Sequence, residues 1–235
     1  LNTQRLHQDK RALRLVLREQ GSSLSMGEVE EVQKHLSQLN TQTEKTAQLS
    51  FLKGIDHLLL QDLGAAISAL TEAIERDPSF TLAYYARSIA SLRRSEAERG
   101  RPVEQSAPST LQVRAAATGD KATVPAELPL PAPPPTRVVE YSPLTDLNQV
   151  ITQAPTFAFA YYNRANLYAK TGDVERAKQD YTKAIELNPL FAESYFNRGL
   201  LYYSEGKVKE GTRDLSRAGE LGLYKAYSLI KRMNK

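Results

Sequence analysis

The sequence predicts an all-α protein in which short helices stack into an α-solenoid, and two observations predict it. The first is an internal repeat: residues 158–191 and 192–225 align without a gap at a period of 34, and twelve columns are identical. The second is the spacing of apolar residues, which recur at helical intervals on either side of Gly172 and Gly206. A fixed period of this length is typical of repeat proteins, so each unit is predicted to be helix, turn, helix.

Each unit also carries a pattern of aromatic and small residues. In residues 158–191 two tyrosines flank an alanine in the first helix, small residues and a third tyrosine follow in the second helix, and a proline closes the unit. These residues are Tyr161, Ala165, Tyr168, Ala177, Tyr181, Ala184 and Pro189. The small residues recur because two helices cross closely only where side chains are short. The pattern resembles the tetratricopeptide repeat, and the resemblance implies a right-handed α-solenoid that serves as a scaffold for protein–protein interactions.

Composition excludes several other classes. The 235 residues have the make-up of an ordinary soluble protein and include no cysteine, which excludes disulfides and thiolate metal sites. The three histidines, His7, His35 and His57, lack the spacing of metal ligands, so we predict no metal and no cofactor. A net charge of +4 is too small to indicate a nucleic-acid partner by itself. No apolar run is long enough to cross a membrane.

The N-terminal part is predicted to contain an irregular segment and then a capping helix. Residues 1–24 favour extended or irregular structure because leucines occupy alternate positions, although the same residue types also suit a helix. A helix is predicted over residues 25–46, and Ser25 with Glu28 forms the capping box that begins it. Such a helix would cover the first repeat, which otherwise has no neighbour on one side.

The solenoid itself is predicted over residues 47–235. Its repeats occupy residues 47–80, 81–157, 158–191 and 192–225, and residues 226–235 form a C-terminal capping helix. The second repeat is longer than the others by 43 residues because it contains a Pro-rich insertion, residues 95–137. We predict that this insertion is disordered, since eight of the twelve prolines lie in it.

The insertion is predicted to interrupt the turn within one repeat. Lengthening that turn costs roughly 2–3 kcal/mol in loop-closure entropy, and burial of a few apolar side chains between neighbouring repeats offsets this cost. We therefore expect the solenoid to continue unbroken across the insertion. The alternative is a chain of two domains joined by a flexible hinge.

The resemblance also implies where a ligand would bind. In tetratricopeptide repeats the first helices line a concave groove, which we call the inner face, and peptides bind there. The positions on this face that we predict to contact a peptide are Tyr85, Ile89, Arg93, Tyr162, Asn163, Asn166, Lys170, Phe196, Asn197, Tyr203, Tyr227 and Lys231. Asparagine amides bond a peptide backbone and aromatic rings bury its side chains, so this combination suits a protein segment.

An arginine recurs at a further column of the first helices, at Arg87, Arg164 and Arg198. It could form a basic ladder for an acidic partner. We favour a structural role in which each arginine lies along its apolar stem and pairs with an acidic residue of the neighbouring helix. Asp180 and Asp214 are the predicted acidic partners.

Alternative functions remain open at this point. The chain could be a structural spacer whose inner face is occupied by its own N-terminal segment or Pro-rich insertion. An RNA-binding role is less favoured, because the inner face offers only Arg93, Lys170 and Lys231 as cations. An enzyme is not predicted, since no nucleophile, phosphate-loop or paired-histidine motif is present.

The chain also resembles the C-terminal part of multi-repeat proteins of this family from Bacteroidetes-type bacteria, on its repeat spacing, its split repeat and its closing segment. Because those proteins are often exported, the resemblance favours the periplasm or cell envelope over the cytoplasm. The chain begins at Leu1, so we expect it to be a processed or excised piece. The identity of the partner and the oligomeric state stay open.

Overall fold

The fold is described from a computed structural model, which describes residues 25–43, 45–100 and 142–233. Ten α-helices and no strand occur in these residues. They are α1 Met26–Asn40, α2 Ala47–Leu59, α3 Leu63–Arg76, α4 Thr81–Gly100, α5 Pro143–Gln153, α6 Ala158–Lys170, α7 Val174–Leu187, α8 Ala192–Ser204, α9 Val208–Glu220 and α10 Lys225–Met233. The predicted all-α solenoid is confirmed. The predictions for residues 1–24 and 101–141 lie outside the described residues.

Eight of these helices form four antiparallel pairs that follow one another along the chain. The pairs are α2 with α3, α4 with α5, α6 with α7 and α8 with α9, and the second helix of each pair packs on the first helix of the next. At the two ends, α1 packs on α2 and α10 packs on α9. Each first helix therefore lies beside its own partner and beside the preceding unit.

The turns within the pairs explain the recurring glycines. Gly172 and Gly206 have φ angles of 81° and 76°, in the left-handed region that glycine adopts without a steric penalty. Gln61 takes the same place in the first pair with φ 63°. An aspartate follows in two of these turns, and the carboxylates of Asp62 and Asp173 cap α3 and α7 by accepting backbone N–H bonds.

Small residues let the two helices of a pair approach each other. Ala165 and Ala177 are completely buried between α6 and α7, next to the ring of Tyr181. In the first pair the corresponding contact joins Gly54 to Leu70, where an added Cβ would lie 2.5 Å from the leucine Cγ. The close crossing thus depends on the residue types that the sequence pattern repeats.

The first helix begins as its sequence indicates. The Ser25 side chain accepts the backbone N–H of Glu28, and the glutamate carboxylate accepts the backbone N–H of Ser25 at 2.9 Å. The predicted capping box is therefore present.

One boundary differs from the prediction. We expected the Pro-rich insertion to begin at Ser95, but α4 continues as a helix to Gly100. The six added residues are SEAERG, which are mostly good helix formers. Arg94 pairs with Glu98 one turn away, and Glu96 pairs with Lys170 on α6. These contacts favour the helix before the first proline of the insertion.

A charged pair connects α4 and α5 across the insertion. Arg87 of α4 donates two hydrogen bonds to Asp146 of α5, at 2.9 and 2.7 Å. The two residues are 59 apart in sequence, whereas the equivalent pairs in the next two units are 16 apart. The difference of 43 residues is the length of the insertion, so α4 and α5 occupy the places of one helix pair.

Candidate functional site

The first helices α2, α4, α6 and α8, followed by α10, carry the inner-face positions in the described part of the chain, and the predicted contacts lie on the last four of these helices. Contacts between side chains connect successive first helices: Asn163 with Tyr85, Asn197 with Asn166, and Lys225 with Phe196. These pairs lie 78, 31 and 29 positions apart in sequence. The repeat therefore assembles polar and aromatic side chains from distant parts of the chain on one surface.

An amide and hydroxyl network lies at the centre of this face. The Tyr181 hydroxyl donates to Asn166 Oδ1 at 2.6 Å, and Asn197 Nδ2 donates to the same oxygen at 3.0 Å. Asn197 Nδ2 also lies 3.5 Å from the Tyr162 hydroxyl. The network joins α6, α7 and α8, and the side chains of Tyr162, Asn166 and Asn197 remain half-buried. Each of these three side chains is thus held in place and still reaches the surface.

Tyr85 does not reach that surface, so it is removed from the predicted contacts. Its ring is 1% exposed and meets Phe157 edge-on, with centroids 4.9 Å apart. Asn163 covers its hydroxyl by donating an Nδ2 hydrogen bond of 3.0 Å. Burial raises the pKa of Tyr85, so its hydroxyl stays neutral and acts as a hydrogen-bonding group.

Further aromatic rings pack against the tyrosines of the network. Tyr162 packs on Phe191 with centroids 4.7 Å apart and on Tyr181 at 6.0 Å, and Phe159 packs on Phe191 at 4.9 Å. Burial raises the pKa of both Tyr162 and Tyr181. The hydroxyls therefore remain protonated near neutral pH and present no negative charge to a ligand.

The cations predicted on the inner face come from three different helices, α4, α6 and α10. Lys170 pairs with Glu96 of the α4 extension. Arg93 lies near the same glutamate, and burial lowers the pKa of its guanidinium while Glu96 opposes that change. Lys231 is exposed on α10. The cations of this face are therefore spread out, and two of them share an acidic neighbour.

The remaining predicted contacts are divided between surface and core. Phe196 is half-buried below the Lys225 ammonium group, which lies 4.8 Å from its ring centroid. Ile89 packs against the core clusters of the first two pairs. The Tyr203 hydroxyl bonds Thr212 on α9, so this ring is directed towards its own helix pair. Tyr227 is 45% exposed and lies on the α10 surface.

The recurring arginines have the structural role that we favoured. Arg164 makes two bonds to Asp180 at 2.7 and 2.8 Å, and hydrogen bonding to this carboxylate raises the pKa of the arginine. Burial alone would lower the pKa of Arg198, but its two bonds to Asp214 outweigh this and raise it. A third bond from each arginine reaches the preceding second helix. The arginines thus connect units and do not form a basic ladder.

Two contributors to the inner face were missed by the sequence analysis. Glu96 was assigned to the insertion and Lys225 to the end of the last repeat. Glu96 could have been found by continuing the α4 helix past Arg94. Lys225 could have been found because it lies one residue before Ala226, which stands 34 residues after Ala192. Within residues 25–43, 45–100 and 142–233 no group of three or more metal-ligand side chains occurs.

Comparisons with known proteins agree with the repeat. Three sequence profiles described as tetratricopeptide repeat match residues 51–120, 158–191 and 180–211. No curated protein sequence matches the chain. No helix among the described residues has the length and apolar character needed to cross a membrane.

Solved structures with the same fold cover most of the chain. MamA from Desulfovibrio magneticus RS-1 is 16% identical, with 94% of this chain and 96% of that chain covered at a TM-score of 0.58. YrrB, described as a TPR protein with an unusual peptide-binding site, is 11% identical, with 88% and 87% covered at 0.58. A tetratricopeptide repeat protein from Parabacteroides merdae ATCC 43184 is 17% identical, with 80% and 60% covered at 0.53. At these identities the similarity concerns the fold.

Proposed function

Because the chain is built from tetratricopeptide repeats, we propose that it is a non-enzymatic scaffold that binds a peptide or protein segment on its inner face. The observation that carries the proposal is the network of Tyr162, Asn166 and Asn197. It presents half-buried amides and a neutral hydroxyl beside packed aromatic rings. Such groups bond the N–H and C=O groups of an extended backbone, and the rings bury its apolar side chains.

The chemistry of this face favours a protein segment over RNA. Lys170 and Arg93 both lie close to Glu96, whose carboxylate would repel phosphate groups. Base stacking also requires open ring faces, whereas Tyr162 and Phe159 pack on Phe191. The relative YrrB is described as peptide-binding, which is consistent with the proposal.

The experiment uses a displayed library of linear peptides selected on the full chain, followed by affinity measurements on the most enriched peptide. The informative variant is Asn166→Asp. Its carboxylate keeps an oxygen acceptor for Tyr181 and Asn197, so the fold is retained, but the amide donor is lost. We expect the loss of about 1 kcal/mol or more of binding free energy, which is roughly fivefold in Kd.

The matched control is Asn148→Asp on α5. Asn148 is exposed and accepts a bond from Arg164 through Oδ1 at 2.8 Å, so the same substitution keeps its acceptor on a different surface. This variant should bind the peptide with the affinity of the wild type. Equal weakening by both variants, or an affinity unchanged by Asn166→Asp, would count against binding on the inner face.

A second candidate function is a spacer whose inner face is occupied by its own Pro-rich insertion. The observation that favours it is the pair between Glu96 and Lys170, because this pair joins the last turns of α4, which precede the insertion in the sequence, to an inner-face position on α6. Under this alternative, deletion of residues 101–141 increases the affinity for the selected peptide. Under the primary proposal the deletion leaves the affinity unchanged.

We also retain the periplasm or cell envelope as the proposed location. This proposal rests on the resemblance to exported proteins with a split repeat. Fractionation of the source cells tests it directly. Detection of the full-length protein in the periplasmic fraction would support this location, and detection in the cytoplasmic fraction would contradict it.

A further inference from the structure

The last residue of each repeat follows a pattern that changes in the fourth repeat. In the first three repeats this residue is a phenylalanine, and in the fourth it is Lys225. Each phenylalanine packs on the ring at the fifth position of its own repeat, with centroids 4.8, 4.9 and 4.7 Å apart in chain order. The pairs are Phe80 with Phe51, Phe157 with Tyr85, and Phe191 with Tyr162. Each pair therefore links the end of a repeat to its first helix.

Lys225 makes the corresponding contact with a charged group. Its ammonium lies 4.8 Å from the centroid of Phe196, which is the ring at the fifth position of the fourth repeat. A cation over an aromatic face is attracted by the quadrupole of the ring, so the contact positions the ammonium beside the inner face. Lys225 is exposed, whereas Phe191 is 7% exposed. The fourth repeat thus has a positioned and accessible cation where the third has a buried ring.

The ammonium of Lys225 forms no hydrogen bond or ion pair with any residue that the structure describes. The contact with Phe196 therefore leaves its N–H donors for an acceptor on a ligand. Lys225 is also the first residue of α10, and the N-terminal end of a helix favours a negative charge over a positive one. A ligand carboxylate at this place would interact favourably with both the ammonium and the helix end.

Two exposed apolar side chains occupy the column next to this cation. Tyr224, which directly precedes Lys225, is 75% exposed, and Leu190 in the same column of the third repeat is 71% exposed. The first two repeats have the polar residues Ser79 and Thr156 in this column. The last two repeats thus offer apolar contacts beside the cation, which suits an acidic residue that has apolar neighbours in its own sequence.

The charges of α8 and α10 also favour a carboxylate at this end of the inner face. Lys231 is a second exposed inner-face cation on α10, and it too has no ion pair with the described residues. The single acidic residue of these two helices is Glu193, one turn before Phe196. Two cations and one carboxylate leave a net positive charge, which is complementary to an acidic ligand.

We propose that Lys225, positioned over Phe196, binds an acidic side chain of the segment that occupies the inner face. The inference rests on the proposed function and specifies its ligand, which is a segment with a glutamate or aspartate between apolar residues. The carboxylate belongs to a side chain within the segment and not to the end of a chain.

The test starts from the peptides that the displayed library yields on the full chain. We expect one position of these peptides to be enriched in Asp and Glu relative to the unselected library. Two synthetic peptides then carry either Glu or Gln at that position, and both are amidated at the C-terminus so that only the side-chain carboxylate differs. The wild type should bind the Glu peptide about fivefold more tightly than the Gln peptide, since a hydrogen bond to a charged group is the stronger one.

Four variants assign this preference to one side chain. Lys225→Gln removes the charge of an exposed residue, so the fold should be retained and the two peptides should bind with equal affinity. Lys225→Phe, which introduces the residue that ends the three earlier repeats, should have the same effect. The matched control Lys209→Gln removes another exposed charge on α9 and should keep the fivefold preference. Glu193→Gln should increase the preference, because it removes the opposing carboxylate.

The inner-face variant Asn166→Asp separates this inference from the proposed function. Peptides that Asn166→Asp weakens but that show no preference for Glu, or a preference that Lys225→Gln leaves unchanged, would overturn the inference and leave the proposed function standing. An affinity that depends on a free C-terminal carboxylate and not on the Glu side chain would also overturn it. Binding that Asn166→Asp leaves unchanged would contradict the proposed function and this inference with it.

Discussion

The pair of Arg87 and Asp146 gives the sharpest prediction about stability. The two side chains are 7% and 3% exposed, and two hydrogen bonds of 2.7 and 2.9 Å join them. Asp146→Ala removes both bonds and leaves the guanidinium buried without its carboxylate. Breaking a buried ion pair by removing one partner costs about 3–5 kcal/mol. We expect the free energy of unfolding to fall by this amount.

The repeat provides a graded series for the same measurement. Asp214→Ala and Asp180→Ala remove the equivalent carboxylates, whose pairs with arginine are more exposed, at 15%/8% and 19%/10%. A hydrogen bond to a charged group contributes about 1.5–3 kcal/mol, so we expect these variants to lose less stability than Asp146→Ala. Glu72→Ala is the surface control, since its pair with Arg76 is well exposed and exposed pairs contribute about 1 kcal/mol or less.

Urea titrations followed by circular dichroism at 222 nm measure the series. Arg87→Met/Asp146→Leu, which replaces both charges by apolar groups, should recover much of the stability that Asp146→Ala loses. An Asp146→Ala variant that is no more destabilised than Glu72→Ala would contradict this prediction.

Two further substitutions test the packing and the buried charge. Gly54→Ala should lower the free energy of unfolding by about 1–3 kcal/mol because the new Cβ would overlap the Leu70 side chain. Gly27→Ala in α1, where the new Cβ meets open space, should be neutral or slightly stabilising. Thermal melts compare the two variants. Burial raises the pKa of the Asp56 carboxyl above its ordinary value of 3.8 despite a nearby histidine. The folded state therefore binds this proton more tightly than the unfolded state does. As a result, the free energy of unfolding falls as the pH rises from 3.8 through the pKa of the folded state. Asp56→Asn should therefore gain stability relative to the wild type as the pH rises above 3.8, and urea titrations at several pH values would refute this if the difference stayed constant.

The helix pairs could be predicted because the 34-residue period repeats both the small residues at the crossings and the turn residues. The arginine pairs could be predicted for the same reason, since Asp180 and Asp214 recur at one column. Asp146 stands in the same column, 34 residues before Asp180. It was missed as the partner of Arg87 because the insertion separates the two residues by 59 positions, whereas the later pairs are separated by 16. The contact depends on folding, which brings the two halves of the split repeat together.

The burial of individual side chains and the length of α4 were harder to predict. Tyr85 shares a column with Tyr162 and Phe196, which are half-buried, yet Phe157 and Asn163 cover it completely. A column gives the side of the helix on which a residue lies but not what covers it. The extension of α4 to Gly100 has no apolar periodicity and depends on charged pairs with side chains on the same helix and on α6.

Binding of a protein segment on the inner face should suppress backbone openings in the helices that form this face. Hydrogen–deuterium exchange of the full chain, with and without the peptide selected from the library, tests it most directly because exchange reports where backbone openings are suppressed. We expect added protection in α6 and α8, whose side chains form the Tyr162, Asn166 and Asn197 network. Protection confined to the second helices α7 and α9 would contradict it and would move the binding surface to the opposite side of the array.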